Sequence, residues 1–151
     1  MSTLLSNSTA IPAALLSAIL LAACSTSPPL AQRTPFPPCP SAPHCVSSTT
    51  TEPSQAIAPI KVQSMQEWQM LQDLLLTSPR TQVVNRTEHY LHAVSSTAVM
   101  RFKDDIELRY SPQQQKVDIR SSSRIGYYDF GVNRNRLEQL RKQFQNITAN
   151  K

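Results

Sequence analysis

The chain has 151 residues, 40% hydrophobic and 17% charged, and its 15 Lys and Arg outnumber its 10 Asp and Glu to give a net charge of +5. About a third reads as address and linker, which leaves roughly 90 residues for one small domain and excludes a second. No charged side chain precedes Arg33, so the mature protein carries the whole basic excess; this favours anionic partners and, for an exported chain, excludes nucleic acid.

The apolar stretch from Ile11 to Ala23, IPAALLSAILLAA, has 13 residues, too few for a bilayer span of about 20 and suited to a signal-peptide h-region. It ends in Leu21-Ala22-Ala23-Cys24, which resembles the bacterial lipobox. Residues 1–23 are therefore expected to be a lipoprotein signal peptide and Cys24 the lipid-attachment site. The segment before the h-region, MSTLLSNSTA, departs from the usual pattern in lacking Lys and Arg. A diacylglycerol plus an N-acyl chain, at ~0.8 kcal/mol per buried methylene, makes a stable anchor. Ser25 follows the cysteine where an aspartate would imply inner-membrane retention. The resemblance therefore implies a cell-envelope address on the periplasmic face of the outer membrane, where the source has two membranes.

Residues 24–59 read as a tether. Nine of the twelve prolines lie between Pro28 and Pro59 among Ser, Thr, Ala and Gln, a composition too poor in large apolar residues to fold alone. Within it, Cys39 and Cys45 bracket a Pro-restricted loop. In an oxidising compartment, with Cys24 taken by lipid, they are expected to form a disulfide. The competing reading, a thiolate and imidazole metal site from Cys39, His44 and Cys45, lacks a second cluster to complete a tetrahedron.

A domain is expected over 60–147, with 148–151 as tail. Ser64-Met65-Gln66-Glu67 has capping-box spacing, and Met65, Trp68, Leu71, Leu74 and Leu75 then share one helical face until Pro79. Strand patterns follow over Gln82–Val94, Val99–Tyr110 and Lys116–Ser122, joined by short links that imply an antiparallel meander. Along the middle run, Met100, Phe102, Ile106, Leu108 and Tyr110 oppose Arg101, Lys103, Asp105, Glu107 and Arg109, so helices should cover one face only. Asp104 breaks the alternation, which demands either a bulge or an inward, paired carboxylate. The segment Asn133–Asn146 places Leu137, Leu140, Phe144 and Ile147 on a stripe, with Asn133 as cap. The fold class is α+β, in the order α-β-β-β-α.

Both glycines, Gly126 and Gly131, lie in the loop Ser123–Asn133. Arg134 and Arg136 follow at a helix start, where cations are disfavoured. Free backbone donors there, with Arg124, Asn133, Arg134 and Arg136, would suit a phosphate, sulfate or carboxylate; alternatively Asp129, Asp118 or the Asp104/Asp105 pair neutralises the arginines. A possible polar site comprises Asp104, Asp105, Arg120, Asp129 and His92. His89 and His92 point to opposite faces of a strand and cannot easily share a metal. No nucleophile, phosphate-loop or zinc signature is present, so no catalytic residue, metal or cofactor is assigned. The expected partners are the membrane, through the lipid, and an anionic lipid, envelope polymer or envelope protein. A small hydrolase or transferase using Asp104/Asp105, His92 and the Arg124–Arg134 neighbourhood is the alternative.

Taken together, CPSAPHCVSS, the Trp68 helix, YLHA at Tyr90–Ala93, RFKDDIELRY at Arg101–Tyr110 and VDIRSSSRIGYYDFGVNRNRLEQLR at Val117–Arg141 resemble the bacterial and plastid family known as domain of unknown function 1499. The resemblance spans about Cys39 to Phe144 and implies no established activity. It places Cys39, Cys45, Asp104, Asp105, Arg120, Ser123, Arg124, Gly126, Asp129, Gly131, Asn133 and Arg134 on motif positions.

Overall fold

The computed structural model describes residues 36–150, so the signal peptide and Cys24 lie outside the described residues. Two short strands, β1 (Cys45–Ser47) and β2 (Ile60–Lys61), precede helix α1 (Met65–Leu76). Then come β3 (Thr81–Arg86), β4 (Tyr90–Ser96), β5 (Lys103–Ser111), β6 (Lys116–Ser123) and helix α2 (Val132–Ala149). All strand pairs are antiparallel, in the order β1-β6-β5-β4-β3, with β2 also on β6. This is the expected α+β meander with two helices. It has six strands where three were read, because the Gln82–Val94 run is a hairpin, β1 lies in the supposed tether and β2 directly follows it.

Helix α1 begins where its cap chemistry dictates. Ser64 Oγ accepts from the Glu67 N–H at 3.2 Å, and the Glu67 carboxylate accepts from the Gln63 N–H at 2.7 Å, so two backbone donors are satisfied at the helix start. Trp68, Leu71 and Leu75 are fully buried, with Met65 and Leu74 packed at the margin. The Trp68 indole stacks on Tyr110 at 5.8 Å and donates Nε1–H to the Glu88 carbonyl at 2.8 Å, so the ring fills the core while its polar atom is paired. With α2 supplying Leu137, Leu140 and Phe144, both helices bury one sheet face formed by Leu91, Ala93, Ile106, Leu108, Val117 and Ile119. Each such side chain contributes about 1.5–3 kcal/mol by burial; Trp68→Ala would cost about 3–5 kcal/mol.

Three boundaries differ from expectation. The middle strand starts at Lys103, not Val99, because residues 97–102 close a hairpin loop: the Thr97 N–H donates to the Phe102 carbonyl and the Phe102 N–H to Thr97 Oγ1, both at 2.9 Å. Val99, Met100 and Phe102 are consequently exposed, not core. Helix α2 is capped from outside: Asp129 accepts from the N–H groups of Gly131 and Asn133 at 2.9 and 3.0 Å. Asn133 is therefore an interior helical residue, and Ile147, expected on the buried stripe, is 41% exposed.

The third correction concerns the tether. Its greater part, from Phe36 on, belongs to the domain: Phe36, Cys45, Val46 and Ile57 are buried, and β1 closes one sheet edge. Cys39 and Cys45 form a disulfide across a Cα separation of 5.6 Å. Helix α2 grips the rest by its backbone, since Arg134 donates to the carbonyls of Ala56 and Ser54 at 2.8 and 3.0 Å, and Arg141 donates to those of Ala58 and Pro59. A segment bound through its carbonyls needs no apolar periodicity, which is why its composition read as a linker.

Candidate functional site

The inward–outward alternation of β5 divides the candidate polar residues between the two faces of the sheet. Asp104 shares the helix-facing side with Ile106 and is 1% exposed. No bulge relieves it, as the β5 register with β4 and β6 is continuous through Asp104. Its carboxylate accepts from Ser123 Oγ and from Arg136 Nη2, each at 2.6 Å. Asn133, fully buried, completes the cluster. Its Oδ1 accepts from Ser121 Oγ and, at 2.9 Å, from Arg136 Nη1. Its Nδ2 lies at 3.0, 2.9 and 2.8 Å from the His44 carbonyl, Ser123 Oγ and Asp129 Oδ2. One amide thus ties β1, β6 and α2 together, and Arg136 is tolerated near a positive helix end because Asp104 lies beneath it.

The opposite face carries a second network. Glu107 accepts from Tyr90 Oη at 2.8 Å and from Arg120 Nη1 at 2.9 Å, with all three residues buried. Burial, then the hydrogen bond and charge of Glu107, pushes the Tyr90 phenol up from its ordinary value. Asp105 joins His92 Nε2 at 2.7 Å to a two-bond Arg124 fork at 2.7 and 2.9 Å. Burial acts to raise the Asp105 carboxyl, but the His92 and Arg124 hydrogen bonds and the Arg124 charge outweigh it and hold the group well below the usual carboxylate range. The Arg109 guanidinium lies 5.2 Å from the Phe36 ring and 5.3 Å from the Tyr90 ring. Phe36 thereby seats the N-terminal segment on this face.

The residues of the proposed anion site do not form a common cradle. Arg124 is held by Asp105 on one face, Arg136 by Asp104 on the other, and Arg134 by backbone carbonyls of the N-terminal segment. Likewise Asp104 is separated from Asp105, His92 and Arg120 by the sheet, while Asp129 serves the start of α2. Among the described residues, no group of three or more His, Cys, Asp or Glu is placed to hold a metal.

The most unusual surface of the domain lies outside the residues expected to form a site. The 97–102 hairpin and the 124–132 loop flank a groove of about 380 Å³ with Asp104 and Ser123 in its lining. Its rim is apolar: Val99 is 86% exposed and Phe130 84%, with Met100, Ile125, Tyr127 and Tyr128 also more than half exposed. Tyr128 and Phe130 meet edge to face at 5.1 Å. Arg101 and Phe130, one in each loop, both hold φ of 54°, a left-handed conformation uncommon for non-glycine residues. The available signal was a cluster of large apolar residues beside both glycines without helical or strand periodicity, and a Thr-Ala-Val-Met run too close to the next strand to leave room for a separate turn.

No curated protein and no solved structure shows significant similarity to the chain. A family profile matches over residues 36–144, and its start is the first of the described residues, Phe36, which is buried. The chain belongs to the family described as Protein of unknown function (DUF1499).

Proposed function

We propose that the protein is an envelope lipoprotein, anchored by lipid on Cys24, whose domain is a non-catalytic binding module with its binding surface at the groove between the 97–102 and 124–132 loops. The observation that carries this reading is the contiguous exposure of Val99, Met100, Ile125, Tyr127, Tyr128 and Phe130. Single exposed apolar residues are ordinary; a cluster of them around a groove marks an interaction surface. The lipobox residues and Ser25 support the anchored address. An anionic ligand held by Arg134 and Arg136 is disfavoured, because both guanidinium groups are engaged inside the domain. A hydrolase built from Asp104, Asp105 and His92 would need those groups on one side of the sheet.

Two experiments test the reading. Cys24→Ser is expected to abolish labelling by an alkyne fatty acid and to release the protein from membranes; unchanged labelling would remove the anchor. Anilinonaphthalene sulfonate, an amphipathic dye whose fluorescence rises on apolar surfaces, is expected to bind the folded protein and to lose most of its signal in Val99→Glu and Phe130→Glu. An equal signal in the variants would remove the groove as binding surface.

A further inference from the structure

We infer that the two loops dock on a lipid bilayer, with Val99, Met100, Ile125 and Phe130 entering the headgroup boundary and Arg101 and Lys103 meeting anionic lipid. The inference rests on the reading of these loops as the binding surface and names their partner.

The arrangement of charge distinguishes a bilayer from a protein. The exposed charged residues of segments 97–103 and 124–132 are Arg101, Lys103 and Arg124, all cations; Arg124 is paired with Asp105, and the Asp129 carboxylate is turned into the start of α2, which leaves Arg101 and Lys103 to face a partner. These two interleave with the apolar residues, Arg101 between Met100 and Phe102 and Lys103 directly after Phe102. Protein–protein interfaces accept Arg among aromatics and Met but deplete Lys, so Lys103 beside Phe102 is the residue that favours a bilayer. A bilayer boundary takes both at once, with apolar tips a few ångströms into the acyl region and cations at the phosphates. Tyr127 and Tyr128, amphipathic rings on the same loop, suit the headgroup level. The left-handed backbone at Arg101 and Phe130 turns a cation out of one loop and a ring out of the other.

Chain length allows the geometry. Eleven residues lie between Cys24 and Phe36, a span of at most about 40 Å. Phe36 packs over Arg109, and the loops lie at the Lys103 end of β5, six residues or about 20 Å along the strand. A lipid on Cys24 and the loop tips can therefore rest on one bilayer, the second contact gaining from the first by proximity.

The test uses the processed chain, residues 24–151, carrying Cys24→Ser so that no acyl chain contributes. Co-sedimentation is measured with vesicles of phosphatidylglycerol and phosphatidylethanolamine and with vesicles of phosphatidylcholine, at low and high salt. The expected result is binding to the anionic vesicles, lowered about tenfold or more by Phe130→Glu or Val99→Glu. Arg101→Gln and Lys103→Gln should each lower it roughly fivefold and flatten its salt dependence, with denaturation midpoints unchanged in all four variants. Absence of vesicle binding while the dye still reports the groove would overturn the bilayer and leave the groove as a binding surface. Loss of both dye and vesicle binding would overturn both readings. Vesicle binding indifferent to Phe130→Glu and Val99→Glu would also overturn the inference.

Discussion

Asp104 and Phe130 line the same groove, yet the fold treats them in opposite ways. The carboxylate lies under the helix with a serine and an arginine spent on it, while the aromatic ring stands largely in solvent with its contact to the likewise exposed loop residue Tyr128. The same contrast separates the whole polar layer around Asn133 from the whole apolar rim. Charged and polar residues that looked like reagents act as internal fastenings, while Met100 and Phe102, expected on the buried sheet face, join the outward surface. In a domain with so small a core, buried polar fastenings supply the uniqueness of packing that apolar layers alone would leave loose, and mutating them should unfold the protein before it touches binding.

The contrast can be broken by experiment, starting with the strongest effect. Asp104→Ala leaves the Arg136 cation largely buried without its partner, and chemical denaturation should register a loss of about 3–5 kcal/mol. Next comes Asn133→Ala, which removes the acceptor of Ser121 Oγ and one of the two donors to the His44 carbonyl; its expected cost in the same assay is about 2–3 kcal/mol. Cys39→Ser releases the N-terminal segment from its short loop and should cost about 2 kcal/mol by the chain-entropy account, an effect that reductant should reproduce in the wild type.

Acid titration probes the other face of the sheet. Because the folded Asp105 carboxyl is held below its ordinary value of 3.8, its contribution is fully present above that pH and is lost as pH falls through the lower folded value. Asp105→Asn should flatten this acid limb by on the order of 1 kcal/mol, the Arg124 partner being partly screened by solvent. Smallest of all, Phe130→Ser should leave the denaturation midpoint within about 0.5 kcal/mol of wild type, as the ring buries nothing in the free domain. A marked loss there would mean that the rim is a structural element.

Much of this architecture was legible in the residues. Ser64 and Glu67 mark the start of α1 through donors that must be satisfied, and Asp104 stood out because a two-residue period leaves no outward place for it. What could not be read had physical causes. The parity that buries Ile106 and Leu108 continues back through Phe102 and Met100, and nothing in a period of two reveals that the backbone folds into a hairpin before reaching them. The Phe36–Pro59 segment is held by Arg134, Arg141, the disulfide and a three-residue strand, none of which requires a hydrophobic pattern. Asn133 looked like a cap because Asn commonly caps helices; Asp129 reaches that helix end first through the turn at Gly131, freeing the Asn133 amide to face inward.

The most direct test of the exchange of roles between charged and apolar residues is the partition of two variants, Phe130→Glu and Arg134→Ala, onto phosphatidylglycerol-containing vesicles. With structural arginines and a binding rim of loops, Phe130→Glu should lose about tenfold or more in partition. Arg134→Ala, whose guanidinium is spent on the Ala56 and Ser54 carbonyls, should stay within about twofold of wild type. A large loss in Arg134→Ala alongside wild-type partition of Phe130→Glu would contradict the account and return the binding surface to the arginines.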